Sequence, residues 1–517
     1  VRRDTGRRKP LERFLRLFAD VRAGEGATVV LLALNVFLIL SAYYFVKPLR
    51  DGLILEGWGA EVKSYSSALQ ALLLLAAVPA YGALAGRLPR RPLINTVTLV
   101  FAACLVVFFA LGRAGVPVGI VFYVWVGIFN LMIVAQFWSF ANDLYTNQEG
   151  ERLFPLVQFG ASAGAVFGSV IVAQLVGPLG VWVPMLIAAG VLLASLAITN
   201  VVDRRERERT ERDRLPILST ATSPAATGEF RVDTGEFRNL REELRKALKR
   251  LEEEERAPGE GRDPGGEFDR PPVDGTRNGA SRTEEPPPER KGGGWIASGA
   301  FRLVFRTRYL LMIALVILFL NWVNTTGEYI LGRVVASAAR DAVATGTAGG
   351  LDVSEWITVF YGRFFSVVNV LGLAIQLFLV SRIVKYVGIR WAILALPLIS
   401  LGAYGLLAFY PVLSAVRWAK TAENATDYSL MNTVRQTLFL PMTREQKYKA
   451  KQAIDAFFWR AGDVLSALLV FVGTTWFAMG ASDFAKVNLV LVFVWIGICA
   501  WVGREYVRLV RSGRPPA

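Results

Sequence analysis

Four ionisable residues sit where a membrane-length apolar chain would not be expected to hold them. Arg417, Lys420, Glu423 and Asp427 are spaced 3, 3 and 4 residues apart within residues 411–435. At 100° per residue this spacing gathers all four within about a third of a helix circumference. Facing lipid, each would cost about 2.5–3.5 kcal/mol near a bilayer centre, and together they would forbid insertion. They therefore face a wet or protein-lined interior. Two roles remain open: a wall that binds a charged solute, or a salt-bridge ladder that only holds helices together.

Further charges follow the same logic. Lys47, Arg50 and Asp51 can share a helix face, although Pro48 disturbs the turn, and a lysine snorkelling to an interface is an equally physical account of Lys47. Arg363 lies several residues inside an apolar segment, with Ser366, Asn369 and Gln376 along roughly the same stripe. Residues 321–328 hold Asn321, Asn324, Thr325, Thr326 and Glu328, the last a candidate counter-ion. The cations from Arg444 to Lys451, Lys449 among them, suit a basic loop, yet Asp455, Arg460 and Asp463 continue into the next apolar run. Such cations outnumber the acids, which suits an anionic solute, arginine holding phosphate bidentately and lysine acting as a point charge.

The elements that must position these residues follow from composition. Of 517 residues, 53% are hydrophobic even without glycine, well above a soluble domain. They cluster in blocks about twenty long, the length of a transmembrane helix. Apolar spans are expected near 27–47, 64–86, 92–112, 118–139, 155–177 and 180–202, then 309–332, 355–381, 388–409, 456–479 and 486–503, with 411–435 as a twelfth. The basic start leads into a full-length span without a small-residue cleavage site, so no cleavable signal peptide is expected. Lys and Arg in short loops favour one side by about four to one, which predicts both termini in the cytoplasm and a multi-pass protein of the bacterial inner membrane. The net charge of +15 is thereby a topology signal, and no nucleic-acid partner is expected.

Histidine is absent, which excludes His-ligated metals, Ser-His triads and His proton relays; Cys104 and Cys499 lie in apolar runs and imply neither disulfide nor metal. No Gly-Lys dipeptide occurs, so there is no P-loop to hydrolyse ATP. Neither an enzyme nor a cofactor is indicated, which leaves a secondary transporter or facilitator.

The chain divides into residues 1–202, a polar insert at 203–299, and 300–517. The insert mixes Arg and acids, then Pro and Gly, and predicts disorder with one helix at about 236–256. Each half opens on an amphipathic stretch, about 10–22 in the first and around 301–308 in the second, suited to a membrane interface. The sequences after spans 2 and 8 echo one another, as do 143–168 and 436–467. Twelve helices in two pseudo-symmetric six-helix halves is the plan of the major facilitator architecture. Gly82 to Arg91 resembles that superfamily's G-x-L-x-D-R-x-G-R-R signature, with Gly86 for the acid and Pro89 for the second glycine. The signature usually clamps an inner gate; Arg87, Arg90, Asp143, Asp51, Lys449, Lys451, Asp455, Arg460 and Asp463 are the candidate gate residues, with Asp455, Arg460 and Asp463 expected at the inner gate.

A closer resemblance runs from Lys420 to Asp463. Asp427-Tyr428-Ser429, then Arg435-Gln436 and Leu440-Pro441, then Lys447 through Asp455 resemble the ATP/ADP translocases of plastids and obligate intracellular bacteria. Phe137-Trp138-Ser139-Phe140-Ala141-Asn142 and Glu151-Arg152-Leu153-Phe154-Pro155-Leu156 are similar to the same family's F-W-G-F-A-N and K-R-F-Y-P-L. Lys47 falls where that family keeps a functional lysine. The pattern departs at Asp427, where the family has lysine, at Arg435-Gln436 for its Lys-Glu pair, near Val126, which lacks the family's glutamate, and at Asn324, with Glu328 one turn on.

The resemblance implies alternating access and ATP/ADP exchange. Lys47, Arg50, Asn142, Asn324, Glu328, Arg363, Arg417, Lys420, Glu423, Asp427 and Arg435 are the candidate substrate-binding residues. The partners expected are a nucleotide or other anionic small molecule and the lipid bilayer, with the protein a monomer. Proton-coupled movement of another organic anion and a non-transport scaffold acting through the insert are the alternatives.

Overall fold

The chain is described by a computed structural model covering residues 21–22, 25–85, 89–222, 298–443, 446, 450–451 and 453–512. Most of the 10–22 stretch, the 236–256 helix, Arg87 and Lys449 lie outside the described residues. The described residues are helical throughout, with turns and short connections and no strand. Five helices precede the insert: α1 (Gly26–Ala85), α2 (Arg90–Arg113), α3 (Gly119–Leu144), α4 (Asn147–Leu179) and α5 (Val183–Thr222). After it come α6 (Ser298–Arg306), α7 (Arg308–Ala344), α8 (Val353–Phe378), α9 (Val380–Tyr386), α10 (Ile389–Ala392) and α11 (Ala395–Phe409). Then follow α12 (Leu413–Thr426), α13 (Asn432–Thr437), α14 (Trp459–Trp476) and α15 (Ala481–Ser512).

Ten helices among the described residues are long and apolar enough to cross a membrane. Helix is the natural choice for such runs, because lipid offers no partner for an unsatisfied backbone group. α1 is broken at Gly59, whose φ of 81° is readily adopted only by glycine, so one residue there reverses the chain between two long stretches. The first stretch passes Pro48 without interruption and ends beyond the expected boundary at 47. α12 and α13 are joined by a widened π-helical turn, Asp427–Met431, and a second such turn, Ile454–Phe458, leads into α14. Both fall on segments that carry the sequence resemblance, and π-turns of this kind are frequent at functional sites. α6 presents buried Val304 on one side and exposed Phe305 on the other, as an interfacial helix would.

The helix of the sixth apolar run extends past residue 203 into the insert. α5 continues to Thr222, and Arg207 pairs with Asp203 at 3.0 Å one turn back, an i,i+4 contact that supports the helix past the apolar run. The described residues before Glu208 and from Ser298 onward form one compact unit. Glu208–Gly294 is a second unit, of which only helical backbone as far as Thr222 is described.

Within the main unit, α4 lies against the first stretch of α1 through Gly160, Gly164 and Gly168. A Cβ at these positions would run into the backbone of Ala33, Phe37 and Ser41 respectively. Small residues every fourth position let two membrane helices meet backbone to backbone, and Ser41 Oγ adds a hydrogen bond to the Gly164 carbonyl at 3.2 Å. Gly164→Leu is expected to destabilise the protein at the upper end of the roughly 1–3 kcal/mol typical of overpacking, or to prevent folding. Gly190→Ala, where the added carbon meets nothing within 4 Å, is the matched control. Thermal unfolding and size exclusion in detergent read the difference.

Candidate functional site

Because the first stretch of α1 continues past Pro48, its charges stand deep inside the bundle. Tyr43, Lys47, Arg50 and Asp51 follow one face at i, i+4, i+7 and i+8, and line a cavity of about 200 Å³. Past Gly59 the chain returns and brings Lys63 to the same cavity, its Nζ 3.0 Å from Asp51 Oδ1. Arg50 lies 3.6 Å from the same carboxylate oxygen, and its guanidinium lies over the Tyr123 ring at 4.4 Å. The opposite wall is built by Asn324, Thr325, Glu328 and Tyr329 of α7, Phe365 of α8 and Tyr428 of the π-turn.

Lys47 differs from its neighbours. Its ammonium lies 3.9 Å from the centroid of Phe365, 5.2 Å from Tyr44, 5.8 Å from Tyr43 and 6.0 Å from Tyr428. Among the described residues it forms no ion pair, and it is only 9% exposed. Four aromatic rings in place of a carboxylate stabilise the charge through their quadrupoles, by about 2 kcal/mol or more for a desolvated contact. They leave it unneutralised. The snorkelling account of Lys47 is set aside by this burial.

Behind the cavity, Lys420 is held by several groups at once. Its Nζ lies 2.7 Å from Glu423 Oε2, 2.7 Å from Asn324 Oδ1 and 3.6 Å from Glu328 Oε1. Glu423 also accepts from Ser400 at 3.0 Å and from the Tyr404 hydroxyl at 3.0 Å. Glu328 accepts from Asn424 at 3.0 Å and, unlike Glu423, keeps a partly open side chain toward the cavity. Of the two roles left open by the spacing, the structure shows the ion-paired one, at Lys420 and Glu423; Arg417, Lys420, Glu423 and Asp427 do not line the cavity. Lys420 and Glu423 form a buried, fully bonded centre, while Arg417 lies apart beside Phe360 and Trp418, and Asp427 is half-buried without an ion pair among the described residues.

Several other candidates lie away from the cavity. Arg363 is exposed, and at 100° per residue it points about 160° away from Tyr361 and Phe365, which face α1. Asn142 is exposed. Arg435 bonds Asn432 at 3.1 Å and lies over Trp459 at 4.7 Å. Lys451 donates to Gln436, and Asp455 is exposed. Asp463 accepts from Asn321 at 2.8 Å and Thr325 at 2.9 Å and pairs with Arg460 at 3.4 Å, tying α14 to α7. Arg90 bridges Asp143 at 3.5 Å and Asp203 at 2.9 Å, which joins α2, α3 and α5.

Among the described residues, the hydrogen bonds and ring contacts joining residues 25–207 to residues 298–512 lie between the level of Asn369 and the Gly59 end. Asn369 bonds Tyr44 at 3.2 Å and Ser169 at 3.3 Å, and Lys63 donates to the Tyr361 hydroxyl at 3.2 Å. Nearer Gly59, Tyr329 donates to Glu61 at 2.9 Å, while Arg333 donates to Tyr329 at 3.0 Å and to the Met479 carbonyl at 2.8 Å. Tyr65 meets Phe471 edge-on at 6.2 Å.

Residues 27–331 match the family model of the Major Facilitator Superfamily. The chain belongs to that superfamily. It is accordingly a multi-pass membrane transporter of the major facilitator type. Among curated proteins it is similar to ADP,ATP carrier protein 2 of Chlamydia pneumoniae, 23% identical over 237 residues; the match spans 41% of each chain. Solved structures share the fold over nearly their whole length. A bacterial homologue of the human lysosomal transporter Spinster, inward-facing and unoccupied, aligns with a TM-score of 0.51 at 14% identity over 94% of this chain and 98% of its own. The nucleoside transporter NupG aligns at 0.53 and 10% identity, over 93% and 99%. A POT family transporter bound to 5-aminolevulinic acid aligns at 0.55 and 12%, over 93% and 96%.

In this transporter, sequence reasoning missed Lys63, Tyr361, Tyr404, Ser400 and Asn424, along with the rings around Lys47. Lys63 reads as a loop charge as long as the first span ends near 47 and the second starts at 64. Only an uninterrupted helix to Gly59 brings it to membrane depth. Removing the ammonium in Lys420→Met should leave the buried Glu423 carboxylate without its cation, at about 3–5 kcal/mol, the range for a broken buried pair. Adding Glu423→Gln to that variant should recover part of the loss in thermal unfolding measurements.

Proposed function

We propose that this transporter carries nucleotides, exchanging ATP and ADP or other tri- and diphosphates by alternating access through the cavity around Lys47. One observation carries the reading: a buried ammonium with no carboxylate of its own among the described residues, set among aromatic rings and beside Arg50 and Lys63. A nucleotide combines clustered anionic oxygens with a planar ring system, and this cavity offers cations and ring faces side by side. The relative named as an ADP,ATP carrier supports the same substrate class. On this reading Lys47, Arg50 and Lys63 receive phosphate, Asn324 and Tyr428 border the rest of the solute, and Glu328 and Glu423 hold Lys420 in place. Arg417 and Arg435 attract anions on approach.

The reading includes twelve spans in two six-helix halves. It counts the two stretches of α1 separately and α12 with α13 as one span. The basic loops support a cytoplasmic position for the Arg90 end, in a bacterial inner membrane, and the ties gathered at the Gly59 end support a cavity reached from the cytoplasm. Arg90, Asp143 and Lys451, with Asp455, Arg460 and Asp463, then act at the inner gate. Glu328, a carboxylate open to the cavity that shares its ammonium with Glu423, favours proton-coupled movement of another organic anion as the second reading.

Purified protein in liposomes should take up labelled ATP when ADP is inside. Lys47→Ala should lower that uptake by roughly a hundredfold, as expected for loss of a desolvated ligand charge. Arg435→Ala should mainly raise the apparent KM. Uptake driven by a pH gradient, with no response to internal ADP, would support the second reading.

A further inference from the structure

The cavity's charges are close to balanced without any substrate. Lys47, Arg50 and Lys63 line it together with Asp51 and Glu328, and the Lys420–Glu423 pair stands directly behind it, where Glu328 reaches Lys420. Lys420 is satisfied by the two glutamates. Among the described residues, Asp51 is the carboxylate that pairs with both Arg50 and Lys63; it is 1% exposed and lies 3.6 Å and 3.0 Å from them. Lys63 is also a tie across the bundle, through the Tyr361 hydroxyl and ring. Any reorientation of the cavity has to loosen that tie while the site is closed to water.

We infer that Asp51 is the empty cavity's resident counter-anion, and that it permits the unloaded protein to reorient and so to move substrate net rather than only in exchange. The inference rests on the reading of this cavity as the substrate site. A carrier is restricted to exchange when its empty form cannot pass through the occluded state, and uncompensated buried charge is a sufficient cause, since each such ion carries a heavy desolvation penalty. With Asp51 present, the empty site has one unpaired cation, Lys47, and that one rests on four rings. Without Asp51 it has three. Substrate phosphate supplies negative charge in either case, so the loaded form tolerates the loss of Asp51 far better than the empty form does.

The test compares uptake of labelled ATP into vesicles that are empty or filled with ADP. The wild-type protein should show uptake into empty vesicles at an appreciable fraction of the rate into filled ones. In Asp51→Asn the ratio of empty to filled uptake should fall by about tenfold or more, because a broken buried pair slows the empty return step. The double variant Asp51→Asn with Lys63→Met, which removes one of the two cations orphaned by the loss of Asp51, should recover part of the ratio and also serves as a folding control. An unchanged ratio in Asp51→Asn, or wild-type uptake that needs internal ADP, overturns the inference. No ATP uptake by the wild type under either condition overturns the nucleotide reading instead. In that event the inference is decided without substrate, from spin-label distances between Val116 and Val343, both exposed at the Gly59 end. Two populated distances in the wild type, one in Asp51→Asn and two again in the double variant support it; identical distributions overturn it.

Discussion

Ionic groups removed from water need compensation, and much of this bundle is arranged around that requirement. α1 brings Lys47, Arg50 and Asp51 into a region where lipid cannot solvate them. Lys63 must then arrive from the returning stretch, Tyr361 must approach from α8, and aromatic rings must surround Lys47. The Lys420 centre follows the same rule with a different solution. There, one ammonium draws two carboxylates, and Ser400, Tyr404 and Asn424 fill their remaining acceptor sites. The two centres meet at Glu328, which touches Lys420 and borders the cavity.

How much of this was legible in the sequence depended on the range of the interaction. The Lys420–Glu423 pair is visible because its partners are 3 residues apart on one helix, where spacing alone implies a contact. The superfamily is visible because span lengths, basic loops and the echo between halves are properties of the chain as a string. Lys63 is not visible, since its importance depends on where a helix ends, and boundaries are decided by details such as a helix tolerating Pro48. Arg363 shows the converse failure. An arginine within an apolar run suggests an inward orientation, but the inward side of α8 is taken by Tyr361, Phe365 and Asn369, and the helix has only one such side. Ser400 and Tyr404 look like ordinary polar residues in α11 until Glu423 is placed between them.

The distribution of ties through the bundle gives it a mechanical polarity. Polar and aromatic links between the N-terminal and C-terminal parts gather from Asn369 toward Gly59, while links such as Arg90 with Asp203, or Arg460 with Asp463, remain within one part. The backbone-to-backbone seam of Gly160, Gly164 and Gly168 makes α4 and the first stretch of α1 a single body. Motion that opens the Gly59 end has to break contacts such as Tyr329 with Glu61, whereas the seam brings backbone against backbone at the three glycines.

The single-residue reversal at Gly59 affects the chemistry as well as the topology. Asp51 and Lys63 are about a dozen residues apart along the chain and are held face to face by two helical arms with almost no slack between them. The short connection removes most of the loop-closure entropy that normally opposes such a contact. Each group therefore sees the other at a very high effective concentration, as in a tethered ligand. The hinge thus holds the Asp51–Lys63 pair against separation, and any rival partner for either group has to displace a tethered one.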